Sequence, residues 1–205
     1  MKPHFLFFAL LFAVSVKAGN TFIGTITYNI TYSGEGIDAY SAILPSKIIV
    51  YYGAKAASTH IVDGLTPMRT LAKKKKTYVI MDHTETVYEQ DNNENTTQPA
   101  NPTYISLFES EKICGHLCNK YTALTAGANS TVWAAPNLIV PTYSKAIGSG
   151  ISATPHGLPL KVVSTLSGMT TTLEAISVTA GISDPKQLKI PKGYTVLPFS
   201  EYSGF

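Results

Sequence analysis

Only two cysteines and one tryptophan occur in 205 residues, and charged residues make up 14% of the chain. The two cysteines, Cys114 and Cys118, are not spaced Cys-x-x-Cys, which removes a thioredoxin-like redox motif and weakens a zinc reading. No Gly-x-Ser-x-Gly elbow, His-x-x-x-His pair, phosphate-binding glycine loop or EF-hand loop occurs. After the first eighteen residues no apolar run reaches the roughly 20 residues that a spanning helix needs. No internal repeat is evident. The net charge of +3 includes Lys2 and Lys17, both inside the first eighteen residues, so the remainder is nearly neutral. It offers no basic face for nucleic acid.

What is present begins with those eighteen residues. A short basic start is followed by an apolar stretch from Phe5 to Val16 broken only by Ser15, and then by Val16-Lys17-Ala18. Charged start, apolar core of about a dozen residues and small-x-small exit are the parts of a secretory signal peptide. The expected cleavage follows Ala18, leaving one domain over residues 19–205. No cysteine follows Ala18 to accept a lipid, so the mature chain reads as a freely diffusing protein, periplasmic or secreted, without a transmembrane segment.

The dominant pattern beyond that point has period two. Phe22, Gly24, Ile26, Tyr28, Ile30 and Tyr32 alternate with Thr21, Ile23, Thr25, Thr27, Asn29 and Thr31, as in a half-buried strand. Further strands are expected over 47–52, 60–63, 77–88, 120–125, 130–134, 160–167 and 170–179. Gly and Pro clusters separate them, and 161–167 with 170–179 forms the clearest hairpin. Helix is sparse: a short helix over 141–146, with Pro141 at its first turn, and a helical turn over 103–110. Residues 91–102 read as an exposed polar loop. The pattern predicts a mainly β domain, built as an antiparallel barrel or a strongly curved antiparallel sheet.

Candidate chemistry is thin. An oxidising compartment favours a disulfide between Cys114 and Cys118. On a straight strand, though, their Cα atoms would stand roughly 13 Å apart, and a disulfide tolerates less than about 7 Å. The pair closes only if Gly115 bends the chain, and both states stay open. Cys114, His116 and Cys118 have no evident fourth metal ligand. Asp82-His83 could orient a base, but no nucleophile accompanies it, and it reads as a solvated turn. Four lysines at 73–76 could meet anionic head groups, or form a solvated loop or charged edge leading into the next strand. Asn29, Asn95 and Asn129 begin Asn-x-Ser/Thr triplets, which matter only in a eukaryotic source. No catalytic residue, metal or cofactor is assigned. Aromatic residues on strands could line an apolar cavity or fill an ordinary core.

Five blocks occur in order: Phe22-x-Gly24-x-Ile26-x-Tyr28; Ile113-x-Gly115-x-x-Cys118-x-Lys120-Tyr121; Val132-Trp133-Ala134; Gly157-Leu158-Pro159-Leu160; and Ile190-Pro191-Lys192-Gly193-Tyr194. Together they resemble an exported Bacteroidetes family, domain of unknown function 4412, over nearly the whole mature chain. Cys114 and the dense lysine run depart from the usual pattern. That family is similar in fold to LolA-type outer-membrane lipoprotein carriers. The resemblance implies an unclosed half-barrel with a few short helices on its concave side. It also implies an apolar concavity for acyl chains, and brings no catalytic residues. The leading expectation is a soluble carrier of a lipid or other hydrophobic ligand, with Phe22, Ile26, Tyr28, Ile80 and Trp133 as its wall. The alternative is a structural or protein-interaction module of the cell envelope, binding an envelope protein through a sheet edge or the 91–102 loop.

Overall fold

A computed structural model describes residues 21–92, 102–125, 128–140, 154–182 and 184–202. The signal segment 1–18, most of the 91–102 loop and the helix expected over 141–146 lie outside the described residues.

Among the described residues, twelve strands form one sheet in the order β12-β6-β5-β4-β3-β2-β1-β11-β10-β9-β8-β7. The first six are β1 (Gly24–Ser33), β2 (Lys47–Tyr52), β3 (Ala56–Ile61), β4 (Met68–Lys73), β5 (Lys76–Met81) and β6 (Thr86–Asp91). They run as one antiparallel meander. A second comprises β7 (Thr103–Ile113), β8 (His116–Thr125), β9 (Ala128–Ala135), β10 (Leu158–Leu166) and β11 (Met169–Ala180). The pairing of β1 with β11 joins them. The short β12 (Thr195–Pro198) then lies parallel to β6, whereas the other named strands pair antiparallel. No pairing joins β12 to β7, so the sheet is not closed.

Two local expectations are corrected. The stretch 77–88 is not one strand: β5 ends at Met81, and a turn at 82–85 sends the chain back as β6. Residues 103–110 form the start of β7 rather than a helical turn, because they find a ladder on β8. The described helical residues form only 3₁₀ turns, at Ile37–Ala39, Pro185–Leu188 and Phe199–Glu201. Among the described residues no helix is long and apolar enough to cross a membrane. The lysine run makes the β4–β5 turn: Lys73 lies 5.5 Å from the Tyr78 ring and Lys76 pairs with Glu89 at 2.9 Å.

The sheet buries different faces in different places. Along β1, Gly24, Ile26, Tyr28 and Ile30 are buried while the residues between them are half-buried. They pack with Ile48, Val50 and Tyr52 of β2 in the main core. On the opposite face of the first meander, Leu71, Tyr78, Ile80 and Val87 form a second cluster. The chain after β11 covers this one with Leu188, Ile190 and Tyr194. Arg69 anchors that cover: it holds Asp82 through two hydrogen bonds, and Asp82 also accepts one from Tyr194 Oη at 2.9 Å.

Candidate functional site

The strand register decides which wall residues share a face. Ile26 lies opposite Val50, Val50 opposite Thr59, Thr59 opposite Thr70, and Thr70 opposite Val79. Successive side chains of a strand point to opposite faces. Val79 therefore shares the face of Ile26, and Ile80 takes the other. Phe22, Ile26, Tyr28 and Trp133 meet in the main cluster, whereas Ile80 sits in the second one. Phe22 is half-buried, with its ring edge-on to Tyr52 at 6.0 Å. Trp133 reaches the main cluster because β10 slips by one residue against β9 between Pro159 and Lys161. Past that bulge Ala135 joins Leu158 and Leu160, while Val132 and Ala134 pack with Tyr121 and Ala123 on another side. Lys120 and Lys161 each lie 5.3 Å from the Trp133 ring.

Tyr28 ties the face together. It lies opposite Ala175 of β11, whose small side chain lets the phenol pass to β10. There its hydroxyl donates to the Pro159 carbonyl at 2.8 Å. Burial pushes the Tyr28 phenol well above its ordinary pKa, so it stays a neutral donor. Three buried threonine hydroxyls, of Thr25, Thr59 and Thr70, have no hydrogen-bond partner. Threonine in an alternating pattern reads only as a strand former, so the sequence carries no signal for them.

The catalytic candidates are not assembled. Both Asp82 oxygens serve Arg69, and one also serves Tyr194. Ser58 and His60 are in contact at 3.0 Å, a pair that sequence reading missed. Ser58 is fully buried and donates its own proton to the Thr70 carbonyl, so its oxygen accepts from the imidazole. That is the reverse of nucleophile activation. Burial, then the Arg69 charge, pulls His60 down to about 4, and it stays neutral at pH 7. Among the described residues no three His, Cys, Asp or Glu side chains gather as metal ligands.

Cys114 and Gly115, both at positive φ, form the two-residue turn between β7 and β8. Gly115 does bend the chain, but the thiols engage different carbonyls. Cys114 bonds the Ala175 oxygen at 3.1 Å, and Cys118 contacts the His116 oxygen at 3.6 Å. Both cysteines are free, with Cys114 exposed and Cys118 buried. Burial pushes the Cys118 thiol up to about 11. We expect iodoacetamide to alkylate Cys114 of the native protein at least about tenfold faster than Cys118, with both alkylated after denaturation. Peptide mass spectrometry measures this; a disulfide would block both.

One sheet edge is unusual. Most of β7 is exposed, and Ile105 (49%), Phe108 (97%) and, on β8, Leu117 (60%) show apolar side chains to solvent. Phe108 sits at φ +55° within a break of the β7–β8 register between Ser106 and Ser110. At the other edge an open cleft of about 430 Å³ is lined by Glu89, Gln90, Asp91, Pro198, Phe199 and Ser200. Its two carboxylates suit an acyl chain poorly.

No family model matches the chain, and no curated protein does. Solved structures do. The structure of PNGF-II in a C2 crystal form is 18% identical with a TM-score of 0.53, over 87% of this chain and 32% of that one. The chain shares its fold with part of PNGF-II. It spans about a third of that protein's length. An uncharacterized conserved protein from Thermus thermophilus is 13% identical with a TM-score of 0.48, over 84% of this chain and 90% of that one. A LolA-superfamily protein from Nitrosomonas europaea is 9% identical with a TM-score of 0.38, over 83% and 91%. Those last two scores are too low to establish a shared fold.

Proposed function

We propose that this is an exported binding protein that carries a lipid or other apolar ligand and performs no chemistry on it. The observation that carries the reading is the apolar face of an unclosed sheet, running from Ile26 through Val50 to Val79 and continuous with Tyr28 and Tyr52. Acyl surface buried against it contributes about 25 cal/mol per Å². Export rests on the basic start, apolar core and Val16-Lys17-Ala18 exit of the first eighteen residues. Ile26 and Tyr28 are fully buried by the protein's own atoms, so loading exchanges protein contacts for ligand contacts and requires the face to open. Native mass spectrometry of protein purified from the producing cells should show a bound lipid that denaturing spectra lose. Protein that carries no lipid, and takes up none from mixed vesicles, refutes the reading.

The β7 edge favours a second reading, an interaction module of the cell envelope. An edge strand offers unpaired backbone groups, and here Ile105 and Phe108 stand exposed beside them. A stoichiometric envelope partner, lost on Phe108→Asp and recovered without lipid, would favour this reading over the carrier.

A further inference from the structure

Thr59 and Thr70 lie directly opposite each other on β3 and β4, in the row that runs Ile26, Val50, Thr59, Thr70, Val79. Three members of that row are apolar and buried, and Thr59 itself is 2% exposed. Both threonine hydroxyls are buried, and neither has a partner, not even the other. Directly opposed residues place their Cβ atoms about 5 Å apart, so one acceptor atom can sit within reach of both hydroxyls. A buried hydroxyl without a partner is uncommon and calls for an explanation. Two facing each other in an apolar row are placed to share one acceptor atom.

We propose that Thr59 and Thr70 form a polar subsite that receives the neutral hydrogen-bonding group of an amphiphilic ligand, an ester carbonyl or a hydroxyl, while its chain lies along the apolar face. This rests on the carrier reading and specifies its ligand. The neighbouring rows of this face hold Ile48 with Ile61 and Tyr52 with Ala57, and no charged side chain. A carboxylate or phosphate would be left unpaired there, at a large desolvation cost; a neutral group would not.

The test uses displacement of the fluorescent probe N-phenyl-1-naphthylamine from the purified full chain by methyl palmitate and by hexadecane. The two share an alkyl chain and differ by the ester. Thr59→Val with Thr70→Val keeps the shape and removes both hydroxyls. We expect the double variant to bind methyl palmitate about tenfold more weakly, the worth of one or two neutral hydrogen bonds, and hexadecane unchanged. Its melting temperature should be equal or higher, since two unpaired buried groups are gone. Methyl palmitate affinity unchanged in the variant, or both ligands weakened alike, overturns the subsite and leaves the carrier reading standing. Displacement by neither ligand in the wild type overturns the carrier reading, and the subsite with it.

Discussion

Tyr28→Ala should cost about 3–5 kcal/mol, the range for removing a large buried aromatic side chain and leaving a cavity. The residue is fully buried in the main core, and its ring bridges β1 to β10 across Ala175. At roughly 2–4 °C per kcal/mol for a chain of this size, the melting temperature should fall by about 10 °C. Tyr28→Phe separates the ring from the hydroxyl. It keeps the packing but leaves the Pro159 carbonyl without its donor, at about 1–2 kcal/mol. Urea unfolding of the three proteins, with unchanged slopes, checks both values. A phenylalanine variant as stable as the wild type would mean that water or another donor reaches Pro159, and so that this part of the core is not dry.

What the sequence disclosed follows from what is local. Alternation in β1 and the hairpin of β10 with β11 depend on neighbours a few residues apart, and both were legible. The turn of that hairpin, Ser167-Gly168, has positive φ at both positions, and glycine advertises such a turn. The turn between β5 and β6 has no such marker. It runs Asp82-His83-Thr84-Glu85, with Glu85 taking φ +50°, so nothing in the residue types interrupts the run from 77 to 88. The strand β7 was hidden because Ile105 and Leu107 keep a strand spacing while Ile105 and Phe108 keep a helical one, and the ladder to β8 decides the matter instead. For β12 only four residues pair, parallel to a strand over a hundred positions earlier.

The arrangement of the five proposed wall residues was not legible. Alternation assigns faces within a strand; relating Ile26 to Ile80 needs the register of five strands. It places them on opposite sides. Trp133 depends on a bulge in β10, a feature without a compositional sign. The opposed pair Thr59 and Thr70 is invisible for the same reason. Each is an ordinary strand residue until the ladder sets them face to face.

Gly157→Ala should be nearly as damaging as the loss of Tyr28, for a different reason. Gly157 has φ +117°, a region that residues with a Cβ enter at a cost of about 1–3 kcal/mol. A Cβ there would also collide with the Ala135 carbonyl and stand 2.8 Å from Pro136 Cα. Backbone atoms cannot step aside as a flexible side chain can, so relief requires moving the start of β10 away from β9. Strain and overpacking together suggest about 3 kcal/mol or more. Gly168→Ala is the control: it too has positive φ, +81°, but nothing lies within 4 Å of its added Cβ. It should lose only the conformational part, about 1–2 kcal/mol. The displaced segment holds Leu158, fully buried, and Pro159, whose carbonyl accepts from Tyr28. Gly157→Ala should therefore already weaken that hydrogen bond, and combining it with Tyr28→Phe should cost less than the two separate losses together. Strict additivity in the double-mutant cycle would mean that β10 keeps its place, and that the clash is relieved in the turn at 154–157.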